Sequence, residues 1–188
     1  HTSSTVGQYF GFDHGSAQQQ GTVDYAKTYG YDVFTGDTNP ITTLIKNGEA
    51  FQDAVDSLAE LFADVQVDKI AAIEARGWIF GAPLAYKLGA GFVTIRKPNK
   101  LPADKISCEY ALEYGTNCLE MHRDAIEPGE RVLLIDDLLA TGGTARGSIG
   151  MIEELGGKVV GAGFLIELKD LKGREQLNGY DVRTVLSF

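Results

Sequence analysis

The chain has 188 residues, 17 basic and 26 acidic, for a formal net charge of −9, a length suited to one ordinary domain or a domain with a small appendage. That acidic balance argues against nucleic acid as the main partner, because phosphate-backbone binding needs a basic face, yet a small anion can still be held by backbone N–H groups. A hydrophobic fraction of 44% supports a packed core and excludes wholesale disorder.

The chain opens on His1 rather than methionine, so its start reads as processed, engineered or incomplete. There is no charged-then-apolar leader and no apolar stretch of membrane-spanning length, so the expected setting is the cytoplasm, with no membrane partner. Residues 1–30 are rich in Ser, Thr, Gln and Gly, including Thr2-Ser3-Ser4-Thr5 and Gln18-Gln19-Gln20. They read as a loosely ordered arm whose few aromatics could dock on a core or cover a site. From about residue 48, Phe51, Val55, Leu58 and Phe62 recur at helical spacing, predicting a helix through Gln66 with Asn47 as its N-cap. Lys69 to Ala75 predicts a strand, Gly77 to Leu88 a helix and Gly91 to Lys97 another strand. The polar section Pro98 to Glu120 follows, its middle (Ile106 to Tyr114) either a hairpin or a mobile flap. Arg131 to Asp137 contains the unbroken run Val132-Leu133-Leu134-Ile135, expected of a strand buried on both faces. Thr144 to Leu155 predicts a helix closed by Gly156-Gly157, Lys158 to Leu168 a strand and Tyr180 to Phe188 a last one. Strands alternating with helices indicate an α/β fold with a largely parallel sheet. Cys108 and Cys118 have no metal-ligand or redox spacing. They could pair, but free thiols in a reducing compartment are the simpler reading.

The stretch Ile135-Asp136-Asp137-Leu138-Leu139-Ala140-Thr141-Gly142-Gly143-Thr144 carries the chemistry. A buried strand delivers two adjacent carboxylates at its C-terminal end, the edge at which open α/β sheets bind ligands. Gly142 and Gly143 let the backbone approach a ligand and turn its N–H groups inward. The hydroxyls of Thr141 and Thr144 add donors, and the following helix adds its dipole. Such a loop is a phosphate cradle, and the paired acids beside it suit a vicinal diol. Phosphate next to diol describes a ribose 5-phosphate. The bland alternative is a glycine turn with a solvated acidic pair. A P-loop is excluded because Thr144-Ala145, not Lys-Ser/Thr, follows Gly143, and a dinucleotide fingerprint because the loop lacks G-x-G-x-x-G.

This stretch resembles the phosphoribosyl-pyrophosphate signature of type I phosphoribosyltransferases. The wider match is similar to their adenine branch, through Ile73-Glu74-Ala75-Arg76-Gly77-Trp78, Arg96-Lys97-Pro98-Asn99-Lys100-Leu101-Pro102, Tyr110-Ala111-Leu112-Glu113-Tyr114-Gly115 and Ile166-Glu167-Leu168-Lys169-Asp170-Leu171-Lys172-Gly173-Arg174. The resemblance covers about residues 44–188. It implies a mostly parallel sheet flanked by helices, with a mobile catalytic loop and a small N-terminal hood. The core would then be residues 44–188, and the arm and hood residues 1–43. It further implies a purine salvage transfer from 5-phosphoribosyl 1-pyrophosphate to adenine, giving AMP and pyrophosphate, in a cytoplasmic homodimer. Asp136 and Asp137 would hold the ribose hydroxyls, and Ala140, Thr141, Gly142, Gly143 and Thr144 the 5-phosphate. Ala75, Arg76 and Gly77 would meet the pyrophosphate, Arg76 as charged donor, with a surface ion pair as its alternative. Lys97 and Lys100 are further pyrophosphate candidates, across a dimer interface, with merely solvated lysines beside a loop as the alternative. Glu113 would be the general acid/base toward the purine nitrogen, with Tyr114 beside it. Mg²⁺ is expected on the pyrophosphate oxygens, with no metal cage built by the protein. Trp78 and Phe80 are assigned to the core, and His122 receives no role.

Upstream of residue 44 the pattern departs. Where the family carries Phe-Arg-Asp-Ile-Thr-Pro-Leu-Leu, this chain has Thr38-Asn39-Pro40-Ile41-Thr42-Thr43-Leu44-Ile45, so Asn39 and Pro40 replace the arginine and aspartate of a hood that chooses the base. Hypoxanthine, guanine or xanthine therefore remain alternative acceptors. A non-catalytic, DNA-binding regulator is the rival from another class. It would need a basic segment, whereas residues 1–43 carry Lys27 alone among lysines and arginines.

Overall fold

A computed structural model describes residues 39–112 and 115–188. The chain divides into two compact units, one running up to Ser57 and including Phe188, the other comprising Leu58–Ser187. In the first, Asn39–Ile45 forms helix α1, with Pro40 in its first turn, where the missing N–H costs no helical bond. Helix α2, Gly48–Leu61, starts as the sequence requires: the Ala50 N–H donates to Asn47 Oδ1 at 3.0 Å, the side-chain cap expected of asparagine. It ends earlier than the apolar spacing suggests. Beyond it, the N–H groups of Phe62, Ala63 and Val65 bond to the third residue back (Ala59, Glu60 and Phe62), which tightens the last turns and ends the α-helix.

The second unit holds a five-stranded parallel sheet in the order β2-β1-β5-β6-β7, from β1 (Lys69–Ile73), β2 (Gly91–Ile95), β5 (Arg131–Leu139), β6 (Lys158–Glu167) and β7 (Val182–Ser187). Between β2 and β5, β3 (Lys105–Leu112) and β4 (Gly115–His122) pair antiparallel as a hairpin. One antiparallel bridge, Arg96 to Glu120, joins the end of β2 to β4.

Strand alternation sorts the two faces of the sheet. Ile70 and Ala72 on β1 face helix α3 (Arg76–Leu88), whose Gly81 lies against both. Ala71 and Ile73 face the other way, into a core shared with Ile149 and Ile152 of helix α4 (Gly143–Glu154) and with Ile106, Leu119 and Met121 of the hairpin. Phe80 is fully buried, as assigned. Trp78 is half-buried and donates its Nε1–H to the Ala72 carbonyl at 2.8 Å. The run Val132 to Ile135 is wholly buried, which accounts for its lack of polar alternation. Among the described residues no helix is long and apolar enough to cross a membrane.

Phe62, 1% exposed, fills the space over two glycines of β6, since a Cβ at Gly161 or Gly163 would stand 2.7 Å from its ring. Arg183 lies over the same ring, 5.0 Å from its centroid. Phe62→Ala is expected to cost about 3–5 kcal/mol, read from the denaturant midpoint, and a loss below about 1 kcal/mol would contradict this packing.

Candidate functional site

In a sheet of order β2-β1-β5-β6-β7, the chain leaves β1 toward one edge and β5 toward the other. The crevice between the carboxyl ends of β1 and β5 is therefore the topological switch point, where ligands bind in open α/β sheets. Both sequence motifs converge there. The turn Glu74-Ala75 leads from β1 into α3, and the loop 140–142 leads from β5 into α4. Gly77 makes the convergence possible: a Cβ at that position would stand 2.9 Å from Asp136 Oδ1 and 3.0 Å from the Ile135 carbonyl.

The two carboxylates at the end of β5 differ. Asp137 is 2% exposed, and its Oδ2 accepts the Arg76 Nε–H at 2.5 Å. Asp136 is partly exposed, and its Oδ1 accepts the Asp137 N–H at 2.9 Å. Burial, and then the neighbouring Asp137 charge, push the Asp136 carboxyl well above the usual carboxylate range, against the opposing pull of the Asp137 N–H and Arg76. Arg76 is thus neither a free donor nor a pair confined to the surface. It neutralises a buried acid through Nε while its side chain stays 45% exposed.

Both helices open without a side-chain cap, α3 at Ala75 and α4 at Gly142. The first turn of an uncapped helix leaves N–H groups for water or an anion. Gly142 has φ 84°, a left-handed conformation that suits glycine and turns the backbone into α4. The helix begins at Gly143, one residue before the expected Thr144, and its first backbone bond runs from the Arg146 N–H to the Gly142 carbonyl. Thr141 is exposed, while Ala140, Gly143 and Thr144 are partly exposed.

Arg96, unassigned by the sequence, holds the 74–77 turn through Glu74. It forks onto Glu74 with Nε and Nη2 at 3.1 and 3.2 Å, reaches the Lys100 carbonyl at 3.0 Å and lies 5.0 Å from the Trp78 ring centroid. This guanidinium holds the Glu74 carboxyl below its ordinary value. The Lys97 N–H also donates to Glu74, at 3.2 Å, while the Lys97 and Lys100 side chains are exposed. Glu120 of β4 accepts the Asn99 N–H and Lys105 Nζ, each at 2.9 Å, which ties this segment to the hairpin base. Neither Arg96 nor Glu120 carried a local signal, because their partners lie far off in the chain.

The hairpin lies over α4, with Cys108 against Gly147. A cavity of about 590 Å³ opens there, lined by Glu109, Tyr110, Thr141, Gly143, Arg146 and Gln176 among others. Burial raises the Cys108 thiol above its ordinary pKa. Glu113 and Tyr114 lie outside the described residues, while Leu112 and Gly115 on either side pair across the hairpin. The His122 Nδ1 is buried and has no hydrogen-bond partner. Among the described residues, no three His, Cys, Asp or Glu side chains form a metal-binding group.

Residues 42–186 match the phosphoribosyl transferase domain family. The adenine phosphoribosyltransferase of Halothermothrix orenii is 58% identical over 146 residues, covering 78% of this chain and 86% of the relative. A crystal structure of the Thermoanaerobacter pseudethanolicus adenine phosphoribosyltransferase superposes with a TM-score of 0.77 at 52% identity, covering 78% of this chain and 86% of that one. The Saccharomyces cerevisiae enzyme, solved with an imino-altritol bisphosphate and adenine, superposes with a TM-score of 0.72 at 38% identity, covering 77% and 84%.

The raised Asp136 carboxyl has a consequence for stability. An acid whose pKa is higher folded than unfolded loses stability as pH rises from its unfolded value, near 3.9, through its folded one. Asn mimics the neutral form, keeps an oxygen for the Asp137 N–H and can donate to Asp137. Asp136→Asn should therefore raise Tm at neutral pH, by about 2–4 °C per kcal/mol recovered, with the gain vanishing below about pH 3.9. A melting temperature lowered at pH 7 and unchanged in its pH dependence would contradict that electrostatic picture.

Proposed function

Because the chain belongs to the phosphoribosyltransferase family, we propose how its residues divide the transfer of a phosphoribosyl group to adenine. The reaction is that of purine salvage: adenine and 5-phosphoribosyl 1-pyrophosphate give AMP and pyrophosphate. The observation that carries the assignment is the shared edge, where an acidic pair stands between two uncapped helix starts at one switch point. Donors on both sides of acceptors complement a sugar with anionic groups at both ends.

In this reading, Ala140 to Thr144 bind the 5-phosphate through backbone N–H groups and the two threonine hydroxyls. Asp136 and Asp137 accept hydrogen bonds from the ribose hydroxyls. Ala75, Arg76 and Gly77 receive the pyrophosphate, Arg76 through the guanidinium edge left over from its bond to Asp137. Lys97 and Lys100 add positive charge to the departing group. As the C1–O bond to pyrophosphate breaks, the purine nitrogen bonds to C1, and Glu113, with Tyr114 beside it, takes the proton that nitrogen loses. The sugar passes through an oxocarbenium-like state that water would capture, and the hairpin over α4 supplies cover on that side. Mg²⁺, taken up with phosphoribosyl pyrophosphate and held partly by substrate oxygens, would supply positive charge to the departing group. The donor set fits that arrangement, offering a pair of acids of which one is already neutralised by Arg76. Residues 44–188 form the catalytic core in this reading, residues 1–43 the arm and hood, and the protein works as a cytoplasmic homodimer.

Glu113→Gln keeps size but cannot exchange a proton, so kcat should fall about 10²- to 10⁴-fold while phosphoribosyl-pyrophosphate affinity stays near wild type. Full activity in that variant would remove the proton-transfer role. Run in parallel with adenine, hypoxanthine and guanine, the wild-type assay should favour adenine, with a margin narrowed by Asn39 and Pro40. A clear 6-oxopurine preference would refute adenine and leave the phosphoribosyl chemistry standing.

A further inference from the structure

Behind the phosphate loop lies a charged pair that the reaction does not use. Glu167, the last residue of β6, has a side chain only 8% exposed. Arg174 forks onto it, Nε to Oε1 at 3.0 Å and Nη2 to Oε2 at 2.6 Å, and donates Nη1 to the Val182 carbonyl at 2.6 Å. Thr184 Oγ1 adds a bond to Oε2 at 3.3 Å. The Arg174 guanidinium, foremost among these partners, holds the Glu167 carboxyl below its ordinary value.

Arg174 stands in the 3₁₀ turn Gly173–Leu177, fixed at its far end by Leu177, which is 1% exposed within the core. Its neighbour Gly173 interlocks with the phosphate loop in both directions. A Cβ at Gly173 would stand 2.1 Å from the Ala140 carbonyl oxygen, and one at Gly142 would stand 2.4 Å from the Gly173 carbonyl oxygen. The Leu168 N–H donates to the Leu139 carbonyl at 3.0 Å, which closes the same wall from β5. The loop therefore has a backbone surface pressed directly behind it, and the turn that carries that surface is tied to β6 and β7 by the Arg174 fork and to the core by Leu177.

We infer that Glu167 and Arg174 are positioning residues for the phosphate loop: their ion pair holds Gly173 against Ala140 and Gly142, and so sets where the loop's N–H groups point. This inference rests on the reading that Ala140 to Thr144 bind the 5-phosphate. Neither residue needs to touch the ligand. A bidentate fork fixes direction as well as distance, which a lysine would not do. A loop displaced by an ångström would lose donor geometry at the phosphate and leave the 74–77 turn, on the other side of the crevice, untouched.

Calorimetric titration with ribose 5-phosphate and, separately, with pyrophosphate tests this on the whole protein. In Arg174→Ala, the Kd for ribose 5-phosphate should rise on the order of 10- to 100-fold while the Kd for pyrophosphate stays unchanged. The KM for phosphoribosyl pyrophosphate should rise, with kcat at saturation less affected. Arg174→Lys, which keeps the charge without the fork, should fall between wild type and alanine, and it carries the same comparison if the alanine variant does not fold. Unchanged ribose 5-phosphate affinity, or equal losses for both ligands, would overturn the inference, the second outcome marking general destabilisation. Gly143→Val separates this from the underlying reading, since its branched side chain would fill the phosphate space. If Gly143→Val abolishes ribose 5-phosphate binding and Arg174→Ala leaves it intact, only the positioning role fails. If Gly143→Val binds normally, the loop itself is not the phosphate site.

Discussion

The structure turns on the ion pair between Arg76 and Asp137. A carboxylate with a side chain 3% exposed must be paired or protonated, and here its partner comes from the start of α3, across the crevice from β5. Removing one partner of a buried pair commonly costs on the order of 3–5 kcal/mol, less here because Arg76 is 45% exposed to water. The bond therefore fixes the turn after β1 against the end of β5. Gly77 permits the approach, since a side chain there would collide with Asp136 and the β5 backbone.

That constraint divides the labour between two adjacent acids. Asp137 is neutralised in place, and Asp136 is left beside it with a carboxyl whose ionisation burial and the Asp137 charge oppose. Two adjacent acids held this way, one paired and the other opposed in its ionisation, cost the fold stability, the pattern expected where function is set against stability. On both sides the uncapped helix starts carry N–H groups that prefer an anion. Donors and acceptors are thus laid out along one crevice, and Arg96 and Arg174 each brace one wall of it from outside.

The sequence was most legible where the physics is local. The apolar run of β5, the acids at its end and the glycine loop are contiguous, so periodicity and turn chemistry placed them together. The Asn47 cap and the alternation of strands and helices were legible for the same reason. What remained hidden depends on contacts between distant residues. Glu74 and Arg96 are brought together only by the parallel pairing of β1 with β2, and Glu167 meets Arg174 only because a 3₁₀ turn folds back beneath the loop. The partner of Arg76 was equally unreadable, because nothing near it in sequence announces an acid 61 residues away. Helix α2 misled because Phe62 and Val65 keep the apolar rhythm through turns that are no longer α-helical. Glu113 and Tyr114 rest on resemblance, since no short-range pattern distinguishes a proton-transferring acid from a solvated one.

The proposed reaction lays phosphate, diol and pyrophosphate in that order along one crevice. Its most direct test is a crystal structure of the protein soaked with phosphoribosyl pyrophosphate and Mg²⁺. The 5-phosphate should lie on the backbone N–H groups of residues 141–144, the ribose hydroxyls on Asp136 and Asp137, and the pyrophosphate beside Ala75 to Gly77. A 5-phosphate bound away from the 140–144 loop, or ribose hydroxyls out of hydrogen-bond reach of both aspartates, would contradict it.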